Sequence, residues 1–185
     1  MNKDAIVLMQ RRIGAVPDGF WGPRSIAACQ RHLRAILPVP SPWPTSDQPS
    51  LTAFYGKPGD ERQLVDLPAP CPLLYEGKAV KTIRCHRLVA ASLESALRAA
   101  YAVAPEVAAI YDGCYNNRPM RGGSLPSLHA RGAAIDLDAA HNGNKVSWPA
   151  SAMMPLRVME CFAEEGWISA GAFWARDAMH FQATR

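Results

Sequence analysis

The sequence predicts an α+β fold: a small antiparallel sheet flanked by helices, with a short helical module at the N-terminus. Three observations predict it. Residues 84–103, RCHRLVAASLESALRAAYAV, are rich in alanine and leucine at helical spacing. AAIYDG and AAIDLD are short apolar runs that read as strands. Helices and strands mix without the βαβα rhythm that a parallel sheet requires.

Taken in order, Ile6, Met9 and Ile13 fall on one face of a helix over residues 3–13, which Gly14 closes. The stretch PDGFWGP is turn chemistry leading into a second helix over 24–37, with Pro23 in its first turn. That helix sets Ile26, Leu33 and Leu37 against the cations Arg24, Arg31 and Arg34. Pro38, Pro40, Pro42, Pro44 and Pro49 then make an extended, semi-rigid connector. The expected division is a helical module at 1–37, a linker at 38–50 and the main domain at 51–185. Within the last, LTAFYG, PLLYEG and KAVKTI read as short strands, and 84–103 as the longest helix. A further helix spans about 152–165, with Pro155 in its first turn and Gly166 as its cap.

Composition narrows the function. An apolar fraction of 49% with 19% charged residues suits a globular protein with a sizeable core. A formal charge of +4 favours anionic surfaces, yet no basic run or stripe points to nucleic acid as a partner. The five cysteines are odd in number and never in C-x-x-C spacing, so they read as reduced, mostly buried thiols. The first residues hold only a short apolar stretch broken by arginines, which reads as no signal peptide, and no run approaches membrane-spanning length. Synthesis in the cytosol without integral membrane association, as a monomer, is the expectation.

SLHARGAAIDLD, residues 127–138, interrupts small apolar residues with His129 and Asp136. A straight strand would separate the two by roughly 23 Å, too far to share an ion. A bend at Gly132 would fold His129 back toward the strand carrying Asp136. By itself the pair is better explained as a loop histidine and the polar end of a strand. RDAMHFQ adds His180 and, three residues before it, Asp177. Two histidines and one carboxylate make the protein ligand set of an open zinc site, and a spare carboxylate can take a proton from water. Asp138 and His141 flank the first segment and offer a rival set. His32 reads as a surface residue, and His86 as the start of the long helix, without a partner in sequence.

SLHARGAAID meets every fixed position of S-x-H-x-x-G-x-A-x-D and resembles the first motif of the zinc D-Ala-D-Ala carboxypeptidase/L-alanyl-D-glutamate endopeptidase family. DAMHFQ is similar to its second motif. The resemblance implies one zinc ion held by His129, Asp136 and His180, with Asp177 as general base. GCYNNRPMRGGS looks like the loop of the phage-type branch that supplies a substrate-binding arginine, here Arg118 with Arg121 as understudy. Ser127 either binds substrate or caps the turn. LMQRRIGAVPDGFWGPRSIAACQRHL resembles a peptidoglycan-binding repeat, with Ser25 where threonine is usual and no room for a third helix.

Both resemblances imply peptidoglycan as the partner. The expected protein is an endolysin-like hydrolase that cleaves a stem-peptide bond, L-Ala–D-Glu in particular, and reaches the wall through a membrane lesion made by a partner. The alternatives are D-Ala-D-Ala carboxypeptidase activity, or a non-catalytic wall-binding protein that keeps a structural zinc.

Overall fold

Ile135, Leu137 and Phe181 are fully buried, and the Phe181 ring stacks on Phe162 at 4.1 Å between centroids. This apolar face of the central sheet is the floor on which the remaining elements pack. Truncating a ring so placed costs about 3–5 kcal/mol. The computed structural model describes residues 2–185, so Met1, the first residue of the expected helical module, lies outside the described residues.

The chain begins with α1 (Lys3–Arg12), capped by the Asn2 side chain, and α2 (Pro23–Ile36). Gly14 adopts a left-handed φ of 67° between them. Gln10, fully buried, knits the intervening turn: its amide nitrogen lies 2.8 Å from Asp18 Oδ1 and its oxygen accepts from Gly19 N. Residues 38–47 have no regular secondary structure, but Trp43 among them is buried and donates through Nε1 to the Glu165 carbonyl. The last residues of the proline-rich stretch enter α3 (Gln48–Tyr55). The expected strand LTAFYG is therefore helix. Asp47 accepts from Ser50 N and Pro49 sits in the first turn, so local capping outweighs the β-like composition.

Strand β1 (Leu64–Pro68) pairs antiparallel with β4 (Thr82–His86), around a small hairpin of β2 (Leu74–Tyr75) and β3 (Lys78–Ala79). The expected helix at 84–103 consequently starts later, as α4 (Ala90–Val103). Alternate burial explains the difference: Ile83 and Cys85 face inward while Thr82 and Arg84 are exposed, a period of two. His86 thus ends a strand rather than opening a helix. It is buried and partnered, with Nε2 3.0 Å from the Tyr55 carbonyl and Nδ1 accepting from Leu88 N.

After α5 (Pro105–Ala108) come β5 (Tyr111–Gly113), β6 (Ala134–Leu137), α6 (Ala139–Asn142), α7 (Leu156–Glu164), β7 (Ile168–Ser169), α8 (Ala170–Trp174) and β8 (His180–Gln182). Their four strands form one antiparallel sheet in the order β5-β6-β8-β7. The architecture is α+β, as expected. No described helix is long and apolar enough to cross a membrane. The five cysteines are free, and all but Cys71 are buried.

One acid of α7 ties the first two helices to it. Glu160 accepts both Nε and Nη2 of Arg12 at 2.6 Å, and its Oε1 lies 2.7 Å from His32 Nε2. His32, expected on the surface, is part-buried in this contact because α2 packs directly on α7. Burial pushes the Glu160 carboxyl up, and the bonds from Arg12 and His32 more than offset that, leaving it below its ordinary value. Arg12 is 44% exposed, so solvent screens part of its contribution. Glu160→Gln should lower stability at neutral pH by about 1–3 kcal/mol in urea unfolding. A folded-state value below 4.5 means this stabilisation is present above 4.5 and is lost as pH falls through the lowered value. The gap between wild type and variant should therefore close in acid.

Candidate metal centre

Strand pairing alone brings two of the three predicted donors together. Asp136 in β6 stands directly opposite His180 in β8, with Ile135 opposite Phe181. Opposed residues in an antiparallel pair project to the same face, with Cβ atoms about 4.5–5.5 Å apart. Ile135 and Phe181 take the core side, so Asp136 and His180 must take the other.

His129 arrives from a single 3₁₀ turn, Leu128–Arg131, that precedes β6. The Ser127 hydroxyl caps this turn by accepting from His129 N at 3.3 Å. Gly132 closes it with φ +66°, and a Cβ there would stand 2.8 Å from the His86 backbone nitrogen. The bend that the spacing demands is located at this glycine. His129 Nε2 then lies 3.2 Å from Asp136 Oδ1 and 3.1 Å from His180 Nδ1, which is itself 3.0 Å from the same carboxylate oxygen.

The hydrogen bonds behind these atoms fix what they offer. His129 Nδ1 lies 2.7 Å from the Cys114 carbonyl, which can only accept, so Nδ1 carries the proton and Nε2 presents a lone pair. Gln182 Nε2 donates to Thr184 Oγ1, which turns the Gln182 oxygen toward His180 Nε2 at 3.2 Å. His180 Nε2 is thereby protonated and Nδ1 presents the lone pair. Three lone-pair donors converge within a space whose edges are close to the roughly 3.3 Å expected between tetrahedral zinc ligands at about 2.0–2.1 Å. Such a set accepts a cation or a shared proton, and the two compete. Burial pushes the Asp136 carboxyl up, but its bonds to His129 and His180 hold it well below the carboxylate range. Burial likewise pushes His180 down, and the Asp136 carboxylate reverses this, so its value is raised.

A cleft of about 200 Å³ opens over the donors, and all seven sequence-predicted residues line it: Arg118, Arg121, Ser127, His129, Asp136, Asp177 and His180. Asp177 lies outside the three-donor cluster. It holds a left-handed φ of 58°, and its buried Oδ1 has no hydrogen-bond partner among the described residues. Burial raises its pKa, and nearby His180 and Arg121 only partly oppose the shift. The rival set does not form. β6 ends at Leu137, and Asp138, at φ 50°, turns away to bond His141 Nδ1 at 2.7 Å and Asn142 Nδ2 at 3.1 Å.

Sequence reasoning missed Gln182, Trp174 and Arg176, which also line the cleft. Gln182 had a signal, since it lies two residues beyond His180 on one strand face. Trp174 stacks on the His180 ring at 5.8 Å and 27°, a contact that no spacing announces.

Residues 121–183 match the family model described as D-alanyl-D-alanine carboxypeptidase. The match covers about a third of the chain and takes in every predicted site residue except Arg118. No curated protein and no solved structure shows a significant match.

Gly132 is where this arrangement is most exposed to a small change. Gly132→Ala would combine left-handed strain with a clash against backbone, and should destabilise the protein by about 1–3 kcal/mol in urea unfolding. Zinc affinity, read by competition with a chromogenic chelator, should fall with it.

Proposed function

We propose that the chain is a zinc peptidase of the bacterial cell wall that hydrolyses a stem-peptide bond of peptidoglycan, the L-Ala–D-Glu bond in particular. The observation that carries this reading is the convergence of three lone pairs, from His129 Nε2, His180 Nδ1 and Asp136 Oδ1, with each histidine tautomer set from behind. One zinc ion fits that donor set. The family match over residues 121–183 supports a metallopeptidase connected with peptidoglycan.

When bound, zinc would polarise the scissile carbonyl and supply a water that is nucleophilic at neutral pH. Asp177 would take the proton of the attacking water and pass it to the leaving amine. Burial favours that role, because a raised carboxyl pKa makes a stronger base. Arg118 or Arg121 would pair with the negative charge that develops on the substrate oxygen. Ser127, whose oxygen already accepts from His129 N, keeps its hydroxyl proton for a substrate carbonyl.

The description of the matched family favours a second reading, removal of a terminal D-Ala. Helices α1 and α2, in the segment that resembles a peptidoglycan-binding repeat, favour an intact polymer and hence the endopeptidase. Mass spectrometry of digested muropeptides separates the two, since one frees L-Ala ends and the other free D-Ala.

Asp177→Asn is the decisive variant, because asparagine tolerates the left-handed backbone that Asp177 adopts. It should keep one zinc per chain while release of amino termini from purified peptidoglycan falls roughly 100- to 10,000-fold. A chelator should abolish activity in the wild type, and added zinc restore it. A wild type that holds zinc and binds wall yet releases no more than the variant would leave a non-catalytic wall-binding protein with a structural metal.

A further inference from the structure

Three guanidinium groups line the cleft, and they are not equivalent. Arg118 donates to the Pro119 carbonyl, and Arg121, which forms no ion pair or side-chain hydrogen bond among the described residues, opposes the upward shift of the Asp177 carboxyl through its charge. Arg176 has no carboxylate within ion-pair distance and no side-chain hydrogen bond among the described residues. Its backbone, by contrast, is held from both sides. Arg176 forms a β-bridge with Ser147, and the Ala175 carbonyl accepts from Trp148 N at 3.0 Å. Ala175 and Asp177, on either side of it, both adopt left-handed φ values of 58°, a conformation costly for residues with a Cβ. Arg118 and Arg121 lie on a loop that includes Gly122 and Gly123. Arg176 is thus a pinned, unpartnered cation at the cleft wall. Beside it Trp174 is 46% exposed, and its ring covers one face of His180.

We propose that Arg176 and Trp174 form a carboxylate-reading subsite: Arg176 binds the free α-carboxylate of D-Glu, and Trp174 supplies the apolar wall against which that residue lies. This rests on the stem-peptide reading above, because the γ-linkage of D-Glu leaves its α-carboxylate free. A guanidinium offers two donors in the plane of a carboxylate and only a poor match to a neutral amide. The subsite therefore selects stem peptides that carry the free acid over those in which the same position is amidated.

The test pairs two substrates with two proteins. Soluble L-Ala-γ-D-Glu stem peptides with the α-carboxylate free or amidated are titrated into zinc-loaded wild type and Arg176→Gln by calorimetry, and hydrolysis is followed in parallel. Arg176 is exposed, so the variant should fold, and an unchanged melting temperature checks that. Wild type should bind the free acid roughly 10- to 100-fold more tightly than the amide. In Arg176→Gln that preference should shrink to within about threefold through loss of affinity for the acid alone, and Arg176→Lys should recover only part of it. A preference that survives in Arg176→Gln, or that is missing from wild type, overturns the subsite. A preference that is present and Arg176-dependent without any cleavage supports the subsite and removes the hydrolase reading alone.

Discussion

Three electron pairs aimed at one point repel each other unless something positive lies between them. The sheet around Asp136, His129 and His180 is organised to hold them in that position. Asp136 and His180 cannot separate without breaking the β6–β8 pairing, and that pairing is anchored on its reverse side by Ile135 and Phe181 in the core. The ring of His129 is held by the Cys114 carbonyl, and that of His180 by the Gln182–Thr184 relay. A buried carboxylate is tolerable only when it is paired, and among the described residues the two rings are the side-chain partners of Asp136, so the pairing needs a shared proton or a cation between them. Rigidity at the three donors is therefore a condition of the fold itself.

The cleft also separates two carboxylates into two environments. Asp136, enclosed by histidines, is kept ionised, whereas Asp177, buried with a free Oδ1, is pushed toward protonation. Divergent environments for neighbouring acids push their pKa values apart, the division that the proposed ligand and proton-acceptor roles require. Asp177 sits in the turn before β8, where its carbonyl accepts from His180 N at 2.9 Å and its backbone is left-handed.

Much of this was legible in the chain. Gly132 between His129 and Asp136 announced a bend, and the Asp177-x-x-His180 spacing announced a second contribution to the same place. The helix and strand periodicities gave the fold class. Errors arose where composition and context pulled apart. Alanine and leucine after residue 89 drew the helix back over Arg84, Cys85 and His86, although the alternation of Ile83 and Cys85 marked a strand. LTAFYG carries β-favouring residues, but Asp47 and Pro49 upstream nucleate a helix. Asp138 shares strand parity with Asp136, and only the end of β6 at Leu137 removes it from the site. Trp174 and Arg176 reach the cleft through a turn whose shape no residue spacing encodes.

The donor-bearing turn is braced by residues far upstream. Gly59 N donates to the Ala130 carbonyl at 2.7 Å and His86 N to the Gly132 carbonyl at 2.8 Å. The buried Arg131 guanidinium reaches Gly56 O, Gln48 and Thr52, and Tyr55 OH caps the Ala183 carbonyl. The unit that can be moved to another chain with its three donors in place is accordingly larger than the stretch 121–183 that the family model matches. A graft beginning at residue 121 would remove the partners of the Arg131 guanidinium and the donors to the Ala130 and Gly132 carbonyls. The bracing of the donor-bearing turn reaches back to α3, whose capping begins at Asp47.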